Sequence, residues 1–185
     1  MGYLSLIAGV ALWSVAHLFK RIAPARRARM GDAAKGAVAV AVIASVVLMW
    51  WGYRNAYGGP FFWGRHPATV GINNLLNLLA LYLFAASGMK TWLGQKMRHP
   101  QLTAIKTWAV AHLLVNGDLP AFILFGGLLA WAVVEVILIN RQTAWTKPAT
   151  VEVKPGKEAG AVIGTLALYG AIAWVHYWFG YPAFG

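Results

Sequence analysis

The chain has 185 residues, room for one domain, with 16 Lys and Arg against 5 Asp and Glu, a formal net charge of +11 and a hydrophobic content of 59%. A basic excess points to nucleic acid or to an anionic membrane surface. Here apolar runs of about 20 residues recur, each able to cross roughly 30 Å of hydrocarbon; the basic residues fall between them as topology signals, which excludes a nucleic-acid groove. There is no cysteine, so disulfides, iron–sulfur clusters and thiolate zinc are excluded and any metal chemistry rests on histidine and oxygen.

The sequence predicts an all-α integral membrane bundle of six transmembrane helices, forming a single domain, over 3–21, 35–53, 69–88, 102–117, 120–140 and 159–180. The first run has no basic residue ahead of it and is followed by Lys20 and Arg21. It reads as a retained helix, although Ala23-Pro24-Ala25 resembles a signal-peptidase site. Tyr57-Gly58-Gly59-Pro60 breaks the chain after the second helix, and the third carries Asn73, Asn74 and Asn77 in "GINNLLNLL". Asn73 and Asn77 share a face, which predicts hydrogen bonds between helices.

Pro100 precedes the fourth helix, and Asn116-Gly117-Asp118 with Pro120 separates it from the fifth. So short a turn makes these two helices antiparallel neighbours, which predicts an ion pair between Lys106 and Glu135. Asp118 is expected to accept hydrogen bonds from the start of the fifth helix, where the dipole favours an anion. Residues 141–158 are the longest polar stretch and are too short for a core of their own, so they read as a connector ahead of the sixth helix.

Of the 16 basic residues, all but Arg54 and Arg65 fall on one side of this six-helix scheme. By the positive-inside rule that side is cytoplasmic, so both termini face outward, into the periplasm if the cell is Gram-negative. Phe61, Phe62 and Trp63 outside, and Trp92 and Trp145 inside, then contribute to the interfacial aromatic belts.

Histidine inside a membrane is costly and marks a functional candidate unless it packs and hydrogen-bonds. Three of the five histidines are so placed. His17 lies in "WSVAHL" and His112 in "WAVAHL", with Trp and His at i, i+4 on one helical face. The stripe extends to Arg21 on the first helix, as Trp13, His17 and Arg21, and to Asn116 on the fourth, as Trp108, His112 and Asn116. The two helices run in opposite directions, so the stripes have the form expected of a 3+3 inverted repeat. A matched pair of imidazoles on aromatic stripes, without thiolates, points to a flat cofactor with axial histidines such as haem b. Zinc is a weaker reading, because no H-x-x-x-H pair is present.

Arg98-His99-Pro100 is placed at the cytoplasmic surface, where Arg98 would hold a haem propionate or lipid headgroup, or else serve with His99 in a capping and positive-inside cluster before the fourth helix. His66 reads as a solvated loop residue, and His176, among Trp174, Tyr177 and Trp178, as a belt residue. No inward carboxylate pair, phosphate-binding glycine motif or nucleophile elbow is found, which leaves hydrolase and ATP-driven readings without residues.

The stretch "RHPQLTAIKTWAVAHLLVNGDLPAFILFGGLLAWAVVEV" at 98–137, the first helix with His17, and the final "VHYWFGYPAFG" resemble the NnrU family of bacterial membrane proteins along almost the whole chain. That resemblance implies an association with denitrification and nitrogen-oxide metabolism. The same core resembles zeta-carotene isomerase, an integral membrane haem b enzyme. By that likeness the two haem-iron ligands fall on His112 and His17, His99 matches the RHP histidine, and the activity implied is redox-gated isomerisation of a lipophilic polyene. Two other readings stay open: an S-adenosylmethionine-dependent membrane methyltransferase, from the RHP tripeptide, although Asn140-Arg141-Gln142 lacks the acidic residues usual there, and a transporter or assembly factor without chemistry.

Overall fold

A computed structural model describes residues 1–184. Its elements are α1 (Gly2–Ile22), α2 (Pro24–Arg29), α3 (Ala33–Asn55), β1 (Phe61–Trp63), α4 (Pro67–Met89), α5 (Trp92–Lys96), α6 (Pro100–Val115), β2 (Gly117–Asp118), α7 (Leu119–Gln142) and α8 (Pro155–Trp178). Five of these, α1, α3, α4, α7 and α8, are long and apolar enough to cross a membrane. The predicted fourth crossing, 102–117, is α6, whose 16 residues rise only about 24 Å. Length and composition therefore carry five crossings, not six.

Four helices start on proline: Pro24, Pro67, Pro100 and Pro155 each stand in the first turn of α2, α4, α6 and α8. Pro100, expected ahead of its helix, is thus its first residue. A first-turn N–H has no partner within the helix, so its loss costs nothing there and the ring pre-sets φ. At α4 the preceding residue, His66, caps the helix: its Nδ1 accepts from the Ala68 N–H at 3.3 Å, while its own N–H donates to Thr69 Oγ1 at 3.2 Å. His66 stays exposed, as the sequence expects, and adds this reciprocal cap to its loop position.

α1 packs most extensively on α3, α4 on α6 and α8, and α7 lies against both α1 and α6. Glycine sets the closeness of the α1–α3 pair. A Cβ at Gly9 would stand 2.8 Å from the Met49 backbone nitrogen, and one at Gly52 would overlap the Leu6 backbone nitrogen. Small residues draw helices together in this way where lipid removes the hydrophobic drive between them. The pair leads into the main core of Leu6, Met49, Leu128, Trp131 and Ala132, and a second cluster joins Ala80 and Leu83 of α4 to Ala104 of α6.

Two ends result. At one, Gln142 Nε2 donates to Arg21 O at 3.0 Å, Lys96 Nζ donates to the carbonyls of Pro148 and Ala149 at 2.6 and 2.8 Å, and the Trp92 N–H donates to Glu158 Oε1 at 2.6 Å. At the other, β1 and β2 form a two-stranded antiparallel ribbon that pairs Phe61 with Asp118 and Trp63 with Gly117. The all-α expectation had no place for this ribbon. It forms because the α3–α4 and α6–α7 connections meet, with Gly117 leaving room for the Trp63 ring, whose Nε1 donates to Leu113 O at 3.0 Å.

Candidate functional site

The two Trp–His stripes fold alike. In α1 the His17 Nδ1 bonds the Trp13 carbonyl at 2.9 Å and its ring lies 4.2 Å from the Trp13 ring. In α6 the His112 Nδ1 bonds the Trp108 carbonyl at 3.0 Å, with the rings 5.0 Å apart. A carbonyl accepts only from N–H, so each Nδ1 carries a proton, and the neutral form of either ring has its lone pair on Nε2. That is the tautomer and the second-shell bond a metal-ligating imidazole uses.

Both stripes lean on α7, at different levels. His17 meets Trp131, centroids 4.9 Å apart, while His112 stacks on Phe125 at 4.6 Å and 29°. Phe125 and Trp131 are six residues apart, about 9 Å along the axis. His17 is also five residues from the basic end of α1, whereas His112 is three residues from the opposite end of α6. The structure therefore does not bring His17 and His112 together. The residue it sets beside His112 is His176 of α8, with ring centroids 6.5 Å apart.

Phe125 lies in a π-helical stretch, Phe122–Gly126, inside α7. The widened turn shifts the helical register between the residues that serve α6 and those that serve α1, and such bulges recur at functional sites. Trp108 also meets Phe125, at 5.1 Å.

Around His17 a second polar group is assembled. Arg21 Nε lies 3.6 Å from Glu135 Oε1, and Glu135 is 6% exposed. This is the partner of Glu135; Lys106, expected to pair with it, forms no salt bridge among the described residues. Arg21 prevails because α1 packs against α7 with its stripe turned inward, which sets the guanidinium against the carboxylate. Trp13 Nε1, Trp131 Nε1, Arg21 Nε and Glu135 Oε2 are buried without hydrogen-bond partners among the described residues. The sequence showed the Trp13, His17, Arg21 stripe but gave no sign that Trp131 and Glu135 would meet it.

The remaining expected site residues are engaged in helix ends. Asn116 Nδ2 donates to His112 O at 2.8 Å, within its own helix. Arg98 donates to Thr143 O at 2.5 Å and Ile139 O at 3.5 Å, and His99 Nε2 bonds Asn140 Oδ1 at 2.8 Å. Arg98 thus bonds carbonyls at the end of α7, where the helix dipole favours its charge, and His99 bonds the Asn140 side chain; His99 stands at the start of α6 but makes no side-chain cap there. Asp118 does cap α7, accepting from the Ala121 N–H at 2.8 Å. Asn73 and Asn77 bond one another within α4, at 2.8 Å, and not across helices; it is Asn74 that reaches away, to Ala183 O at 3.1 Å.

Searches of curated proteins and of solved structures found no match. The family model for NnrU protein matches residues 5–183, nearly the whole chain, and the chain belongs to the NnrU family.

Proposed function

We propose that this NnrU-family chain is a bacterial inner-membrane protein of nitrogen-oxide metabolism, with α6 as its sixth crossing and both termini in the periplasm, and that it binds haem b through His112. The basic residues support the orientation: all but Arg54 and Arg65 gather at the end where α1 and α7 finish and α8 begins. One observation carries the haem reading. His112 sits inside the bundle with Nδ1 committed to Trp108 O and Phe125 stacked on its ring, which leaves Nε2 as a fixed donor among apolar and aromatic walls. His17 shares the tautomer, but its level in the bundle does not let it and His112 hold one iron from opposite sides.

When bound, haem would supply a redox-active iron, the chemistry that a redox-gated isomerisation of a lipophilic polyene requires. The chain's own contribution is to orient the imidazole, exclude water with Trp108, Phe125 and the surrounding aliphatic side chains, and present the site to guests from the bilayer. The test is absorbance of the detergent-purified protein expressed with ample haem. A Soret band that shifts on dithionite reduction is expected, and it should be lost or strongly altered in His112→Ala. A wild type that takes up no haem, even on titration with hemin, would end this reading.

A further inference from the structure

We infer that His176 would hold this haem together with His112, and that His17 would not. The inference rests on the haem reading above and concerns which of the chain's own residues complete it.

The ring geometry is the first ground. With a metal–nitrogen bond of about 2 Å on each side, two imidazoles ligating one iron from opposite sides have centroids roughly 6 Å apart. The His112 and His176 rings are 6.5 Å apart. Their protonation pattern also matches: His176 Nδ1 bonds Ile172 O at 2.8 Å, as His112 Nδ1 bonds Trp108 O, so both keep Nε2 free. A bare metal ion would need more: among the described residues no three His, Asp or Glu side chains gather. A porphyrin supplies four of the six ligands itself, so two imidazoles suffice.

The packing of α8 is the second ground. Its first half is seated, with Ala161 and Thr165 buried, while its second half is exposed, with Trp174 67% and Tyr177 72% accessible. His176 is itself exposed, on the half of α8 that stands free of its neighbours, but it shares a helical face with Ala161 and Thr165 and its ring comes within 6.5 Å of His112. The chain beyond α8 is tied back by the bonds of Asn74 Nδ2 and Arg65 to Ala183 O, at 3.1 and 3.5 Å, which keeps the free half near the bundle.

The third ground is charge. Arg54 and Arg65, the two basic residues set apart from the other fourteen, both reach the end of α8. The Arg54 guanidinium lies 5.9 Å from the Phe179 ring, three residues after His176, and Arg65 bonds Ala183 O. Guanidinium is the natural partner of a carboxylate, and these two would hold the haem propionates at that end.

The experiment compares wild type, His17→Ala, His176→Ala and His176→Met as full-length, haem-loaded protein, by absorbance and electron paramagnetic resonance. The wild type is expected to be low-spin with two nitrogen ligands, and His17→Ala should keep that spectrum. His176→Ala should turn high-spin, and His176→Met should stay low-spin while gaining the sulfur-to-iron charge-transfer band. The methionine variant guards against loss of the spectrum through misfolding alone. A high-spin His17→Ala with an unchanged His176→Ala would overturn the ligand assignment and leave haem binding standing. A wild type without a Soret band would remove both.

Discussion

A Gly52→Val substitution is expected to unseat α1 from the bundle. At Gly52 a Cβ would overlap the Leu6 backbone nitrogen and lie 2.6 Å from its Cα. Backbone cannot rotate aside as a side-chain tip can, so the two helices must separate along the stretch that now joins Leu6, Met49 and Trp131. Overpacking of this kind costs ~3 kcal/mol or more, and in a membrane a separated pair loses the close contacts that held it together. Gly164→Ala is the control. It lies in α8 with nothing within 4 Å of the added atom, and should be neutral or gain up to about 1 kcal/mol from helix propensity. Thermal unfolding in detergent, followed by circular dichroism, would show a large fall in midpoint for Gly52→Val and none for Gly164→Ala. Equal midpoints would refute the glycine-mediated packing.

The apolar runs made the helices legible in the sequence, because a span in lipid needs little beyond length and the absence of charge. The basic residues made the two ends legible for the same reason. What sequence spacing does not encode is rotation about each helix axis and depth along it. The echo of "WSVAHL" in "WAVAHL" did foretell two like stripes, each with its i−4 carbonyl bond. It did not foretell that they would face different levels of α7, although the distance of each histidine from its helix end already implied as much. The aromatic neighbours of His176 mark it as a belt residue, and it is exposed near the end of α8; that its ring also comes within 6.5 Å of His112 depends on the rotation of α8, which only tertiary contacts show. The ribbon of β1 and β2 was equally hidden, since three residues and two residues carry no periodic signal.

Arg21 and Glu135 should respond unequally when either is removed. The Glu135 side chain is 8% exposed and the Arg21 side chain 20%, with Arg21 only one residue from the end of α1. In Arg21→Leu the carboxylate is left deep in the packed α1–α7 contact without its partner, a loss worth about 3–5 kcal/mol for a buried pair. In Glu135→Leu the guanidinium keeps a way out: its stem is long enough to carry the charge to the nearby interface, which brings the cost down to roughly 1–3 kcal/mol. The double variant removes both charges and fills the space with aliphatic carbon, so it should recover most of the larger loss. A double-mutant cycle by thermal unfolding in the same detergent measures all three. Equal single losses would mean that both groups reach water. A double variant no better than Arg21→Leu would mean that the pair shapes the packing around Trp13, His17 and Trp131 in a way apolar side chains cannot replace.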